Sequence, residues 1–177
     1  MIRTVDDFNF KGKKVLVRVD YNVPLDHNSN ITDDKRIIES MPTIKKILSD
    51  GGMAIIMSHL GRPKGVKVES MSLRPVSNYL SNNLDCKVHF ADDCNTSIAK
   101  EVVDNSKFGE VVLLENLRYY AEEEANDEGF ASNLTKLGDV YVNDAFGTAH
   151  REHASTYSVA RKFENRFAGK LIEKEIE

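Results

Sequence analysis

Short apolar runs punctuate the chain at Val15-Leu16-Val17-Arg18-Val19, Ala54-Ile55-Ile56-Met57, Lys87-Val88-His89-Phe90, Val111-Val112-Leu113-Leu114 and Val140-Tyr141-Val142. Polar alternation hardly breaks them, a pattern expected of strands buried on both faces of a parallel sheet. Each gap between runs is long enough for the crossover helix that a parallel connection needs. Residues 34 to 50 carry Ile37, Ile38, Met41, Ile44, Ile47 and Leu48 at helical spacing. Asp33 or Thr32 is the candidate cap, Gly51-Gly52 the stop, and Pro42 predicts a kink or two short helices. Further helices are predicted where Leu73, Val76, Leu80 and Leu84 share a face, where Ile98, Val102 and Val103 do, and where Phe130, Leu134 and Leu137 do before Gly138.

Strand and helix in alternation imply an α/β fold: a Rossmann-like three-layer sandwich, with an open parallel sheet of five or six strands and helices on both faces. The sixth strand depends on whether Phe167 to Ile172 adds to the sheet. Ala168 to Glu177 reads as a helix that has just begun, with Leu171, Ile172 and Ile176 on one side. It either docks back on the domain or has nothing in this chain to pack on. No internal repeat, low-complexity tract or linker interrupts the 177 residues, which suit one domain.

Composition narrows the function classes. At 41% hydrophobic and 29% charged residues the chain is globular. Its formal net charge of -4 lacks the basic excess of a nucleic-acid binder. Cys86 and Cys94 have neither redox-motif nor metal-pair spacing, so free thiols in a reducing compartment are expected. No apolar run approaches the ~20 residues that span a bilayer, and the N-terminus has no signal-peptide core. A cytoplasmic protein without membrane or nucleic-acid partners is expected.

In open parallel sheets ligands sit beyond the carboxyl ends of the strands. The residues there are Asp20-Tyr21-Asn22-Val23-Pro24, Ser58-His59-Leu60-Gly61-Arg62-Pro63, Glu115-Asn116-Leu117-Arg118 and Asn143 to His153, while Arg36 opens the first helix. Four of the nine arginines, Arg36, Arg62, Arg118 and Arg151, therefore point to one edge. A guanidinium fork matches carboxylate and phosphate and stays charged at any working pH. Two such groups about 8 Å apart repel by roughly 2 kcal/mol at an effective dielectric near 20, so four make sense around a polyanion. The alternative for each alone is a surface salt bridge, and Arg18 and Arg74 read as structural. His150-x-x-His153 lacks a third metal ligand, Glu122-Glu123-Glu124 reads as a solvated helix start, and no recognised nucleotide-phosphate loop occurs.

The same loops resemble phosphoglycerate kinases. Arg18-Val19-Asp20-Tyr21-Asn22-Val23-Pro24, Ile31-Thr32-Asp33-Asp34-Lys35-Arg36-Ile37, Ser58-His59-Leu60-Gly61-Arg62-Pro63, Leu114-Glu115-Asn116-Leu117-Arg118-Tyr119, Val142-Asn143-Asp144-Ala145-Phe146-Gly147 and His150-Arg151-x-His153-Ala154-Ser155 are similar to that family's motifs, in its order. The resemblance implies phosphoryl transfer between 1,3-bisphosphoglycerate and ADP, giving 3-phosphoglycerate and ATP. It implies that residues 1 to 177 are the substrate-binding N-terminal domain. The C-terminal nucleotide-binding domain, which holds Mg-ATP or Mg-ADP, would be the partner missing from this chain. The chain alone would bind 3-phosphoglycerate as a monomer, with no cofactor or metal of its own and no turnover. By motif match Arg62, Arg118 and Arg151, with His59, would grip the 3-phosphate, and His153 would also bind substrate. Asp20 and Asn22 would fix the hydroxyl and carboxylate end, and Arg36 would act catalytically beside the moving phosphoryl group. Glu152 departs from the small residue usual in the family. The alternative is a non-catalytic α/β module that binds a phosphorylated carboxylic acid.

Overall fold

The structure, a computed structural model, describes residues 3–145 and 151–176. Six strands form one sheet in the order β3-β4-β2-β1-β5-β6, and every neighbouring pair is parallel. They are β1 Lys14–Arg18, β2 Met53–Met57, β3 Val88–Ala91, β4 Val111–Leu114, β5 Val140–Asn143 and β6 Arg166–Ala168. The helices are α1 Lys35–Ser49, α2 Arg74–Asn83, α3 Ser97–Asp104, α4 Ala121–Glu124, α5 Glu128–Thr135, α6 Val159–Arg161 and α7 Lys170–Ile176.

The period of two along the strands divides the core between the two sheet faces. Val15 and Val17 of β1 with Ala54 and Ile56 of β2 pack under Ile37, Ile44 and Ile47 of α1 and Val76 and Leu80 of α2. Leu16, Met53, Ile55 and Met57 face the other way, onto Ala99 and Val103 of α3, Phe130 and Leu134 of α5 and Val159 of α6. The result is the expected three-layer sandwich. Each of these buried aliphatic side chains contributes about 1.5–3 kcal/mol relative to exposure.

Several local expectations differ from the structure. The third run is an edge strand, with Val88, His89 and Phe90 only half-buried, which accounts for its polar residues. Pro42 lies inside one continuous helix. It removes one amide donor, and Ile38, whose carbonyl loses that bond, sits on the exposed face. Asp34, not Asp33 or Thr32, occupies the N-cap position of α1. Ile98 points outward, and Ala99 joins Val103 in the core instead.

The chain end resolves both open expectations. Arg166–Ala168 adds the sixth strand, and α7 docks on α1. The amide of Lys170 donates to Thr43 Oγ1 at 2.8 Å and that of Leu171 to Asp144 Oδ1 at 2.9 Å. Strand order reverses at β1, which has β2 on one side and β5 on the other. The crevice beyond the carboxyl ends near such a reversal is where open sheets hold ligands.

Candidate functional site

The loops after β1, β2 and β4 are tied together by side chains that serve the backbone. Asn116 Nδ2 donates to the carbonyls of Leu60 at 2.7 Å and Met71 at 2.9 Å. Its Oδ1 accepts from the amide of Arg118 at 3.0 Å and caps the single turn Leu117–Tyr119 that carries this arginine. Glu115 accepts from Ser72 Oγ at 2.6 Å and from the amide of Leu73 at 2.8 Å. Ser58 Oγ accepts from the amide of Tyr21 at 2.8 Å, locking the first loop to the second. Gly61 turns at φ 66°, a left-handed conformation that glycine adopts without cost, and offers its amide to Asn22 Oδ1 at 2.8 Å.

This scaffold brings together a cationic group. Arg118 is buried, and Arg151 and Arg62 lie near enough to depress its pKa after burial itself. Its Nε and Nη2 are buried without a hydrogen-bond partner. Its nearest carboxylate is on half-exposed Glu124, 3.9 Å from Nε, and Nη1 makes a long 3.4 Å bond to the carbonyl of Gly61. A buried donor left unpaired costs about 1–3 kcal/mol, more when charged. The free chain therefore holds this guanidinium at a cost that an incoming anion would relieve. His59 lies beside it, buried, with its pKa pushed down to about 2 by burial and then by Arg18, Arg118, Arg151 and His153. The ring is therefore neutral at working pH. His153 is likewise depressed, chiefly by burial, and its Nδ1 is buried and unpartnered. Arg62 and Arg151 are exposed, and their guanidinium groups make no hydrogen bond or ion pair among the described residues.

Asp20, Asn22 and Arg36 form a second group. Arg36 Nη1 donates to Asp20 Oδ1 at 3.1 Å and to the carbonyl of Asn22 at 2.9 Å. Arg36 thus has a hydrogen-bonded carboxylate partner, whereas the carboxylate nearest Arg118 stands off at 3.9 Å. The bond from Gly61 to Asn22 links the two groups.

Two residues in this region carry more than their sequence suggested. Arg18, read as structural, is fully buried at the end of β1, with Nη2 2.9 Å from His59 Nδ1. A charge inside the apolar run from Val15 to Val19 was the available signal. Glu123 corrects the solvated reading of its triplet: it is fully buried and accepts from the amide of Ser155 at 2.8 Å and from Ser155 Oγ. Phe146, Gly147, Thr148, Ala149 and His150 lie outside the described residues. Cys86 and Cys94 are free thiols. Among the described residues no group of three or more His, Cys, Asp or Glu could hold a metal, and no helix is long and apolar enough to cross a membrane.

Fold and site together define an open parallel α/β domain with a cationic site at the carboxyl ends of its strands. The chain belongs to the phosphoglycerate kinase family, whose model matches residues 5–177. It is 55% identical over 174 residues to the phosphoglycerate kinase of Chlorobium limicola (strain DSM 245), covering 98% of this chain and 44% of that protein. The solved phosphoglycerate kinase of Pyrococcus horikoshii OT3 superposes with a TM-score of 0.88 at 36% identity, over 99% of this chain and 44% of that one. That of Coxiella burnetii gives a TM-score of 0.86 at 33% identity, over 100% of this chain and 43% of that one. The chain spans less than half the length of the relatives it matches.

Proposed function

We propose that this chain is the phosphoglycerate-binding half of a glycolytic kinase that moves a phosphoryl group between 1,3-bisphosphoglycerate and ADP. The observation that carries the reading is Arg118: a buried guanidinium with two unpaired donors, flanked by Arg62 and Arg151 and by a neutral histidine. In this reading Arg62, Arg118 and Arg151, with His59 and His153, hold the 3-phosphate as an array of donors. Asp20 and Asn22 orient the hydroxyl and carboxylate end. Arg36, released from or shared with Asp20, offsets charge on the moving phosphoryl group. Such transfer needs positioning and electrostatic stabilisation and no protein nucleophile.

Mg-ATP or Mg-ADP would supply the phosphoryl donor or acceptor, held by the part of the family's length that this chain does not span. The second domain would close over the site to exclude water, and turnover is assigned to the two together. A cytoplasmic, monomeric enzyme accords with this reading.

Thermal unfolding tests it. Ligand at about 100 times its Kd stabilises by about 2.7 kcal/mol, and about 1 kcal/mol moves Tm by roughly 2–4 °C in a domain of this size. Saturating 3-phosphoglycerate is expected to raise Tm by about 5–10 °C, and glycerate, which lacks the phosphate, by far less. No shift at millimolar 3-phosphoglycerate contradicts the assignment.

A further inference from the structure

Arg18 has no place in the binding scheme above, yet its guanidinium is held from three sides. Nε donates to Ser155 Oγ at 2.8 Å, Nη1 donates to the carbonyl of Val19, and Nη2 lies 2.9 Å from His59 Nδ1. A guanidinium has donors only and keeps its charge. Nδ1 of His59 must then be the acceptor, and a neutral imidazole that accepts at Nδ1 carries its proton on Nε2. Nε2 has no partner among the described residues.

The arrangement continues one step behind Arg18. The Ser155 hydroxyl accepts from Arg18 and donates a hydrogen bond to Glu123 Oε2, while Glu123 Oε1 accepts from the Ser155 amide at 2.8 Å. Glu123 and Arg18 are both fully buried, so each supplies the other's counter-charge through Ser155. The ordered row Glu123, Ser155, Arg18, His59 ends in a free Nε2–H on the ring beside Arg118.

We propose that Arg18, anchored by Ser155 and Glu123, is a positioning residue that fixes His59 in its Nε2–H form so that the neutral ring donates a hydrogen bond to a bound phosphate group. A neutral donor suits this place, because a charged imidazolium would add repulsion among Arg62, Arg118 and Arg151. The depressed pKa of His59 agrees with that arrangement. The ligand in this inference rests on the phosphoglycerate reading; the tautomer does not.

Nitrogen NMR of the full chain with 15N-labelled histidine tests the tautomer without ligand. His59 is expected to show an unprotonated Nδ1 and a protonated Nε2, unchanged from about pH 5 to 8. A proton on Nδ1, or a ring that titrates in this range, overturns the proposal even if 3-phosphoglycerate binds. The correct tautomer with no affinity for inorganic phosphate or 3-phosphoglycerate overturns the donor role and the substrate reading together. Ser155→Ala removes the acceptor for Arg18 Nε. It is expected to mix the two tautomers and to weaken phosphate binding about tenfold. Weaker binding with the tautomer unchanged, or mixed tautomers with full affinity, contradicts the role. Glu123→Gln preserves volume, carries the same expectation, and stands in should Ser155→Ala fail to fold.

Discussion

Arg118 is placed against its own solvation, and that makes stability and function pull apart at one residue. Its two unpaired nitrogens and its neighbours Arg62 and Arg151 all raise the energy of the free chain. Arg118→Met keeps the length and the apolar packing while removing the charge. The variant is expected to match or exceed the parent in ligand-free stability, by about 1 kcal/mol, since replacing poorly compensated buried charge is neutral or stabilising. Its affinity for 3-phosphoglycerate is expected to fall about 100-fold or more, as for truncation of a desolvated charge pair. Denaturant melts and calorimetric titration measure the two effects. A variant destabilised by several kcal/mol with affinity intact contradicts this account of Arg118. Residues of this kind were partly legible beforehand. Arg62, Arg118 and Arg151 follow apolar runs, so topology alone sends them to one edge. Arg18 was legible only as a charge inside an apolar run and Glu123 not at all, because the burial of each shows only when the shared partner, Ser155, arrives from far along the chain.

Helix α7 shows how one buried carboxyl joins elements. Asp144, directly after β5, accepts from the amide of Leu171, and the neighbouring amide of Lys170 donates to Thr43 Oγ1, so β5, α1 and α7 meet at this corner. Gly169 allows that approach, since a Cβ there would lie 2.2 Å from Asp144 Oδ1. Burial raises the pKa of Asp144 from 3.8 to about 7, and the nearby Thr43 hydroxyl and α7 amides offset it only in part. Between about pH 4 and pH 7 the folded chain thus keeps a proton that the unfolded chain has lost. Stability from this group is complete below about pH 4 and declines as pH rises through that interval. Asp144→Asn keeps an acceptor oxygen for α7 and cannot ionise. It is expected to flatten the decline and to exceed the parent near pH 7 by up to a few kcal/mol. Parallel pH profiles for parent and variant contradict the assignment. The helical periods of α2 and α5 were plain in the sequence, whereas the fate of Pro42 and of the chain end was set by tertiary packing. A proline penalty can be absorbed on an exposed face, and a short strand such as Arg166–Ala168 forms only because β5 offers an edge.

At the scale of the molecule, an acidic chain concentrates cations at one end of its sheet. The formal net charge is -4, yet Arg62, Arg118 and Arg151 converge with two depressed histidines on the crevice beside the strand reversal. A rigid two-sided core fixes that crevice, and Asn116, Glu115 and Ser58 hold its loops from behind. Sequence periodicity was sufficient for the layers and for the site's place in them, because buried parallel strands leave only their carboxyl ends free for chemistry. Side-chain pairing within the site was not legible, since it depends on which loops touch. The most direct measurement is a crystal structure of this chain with 3-phosphoglycerate. The account predicts phosphate oxygens about 3 Å from Arg118 Nε or Nη2 and from His59 Nε2. A ligand bound elsewhere, or a phosphate in the crevice with the Arg118 donors still unpaired, would contradict it.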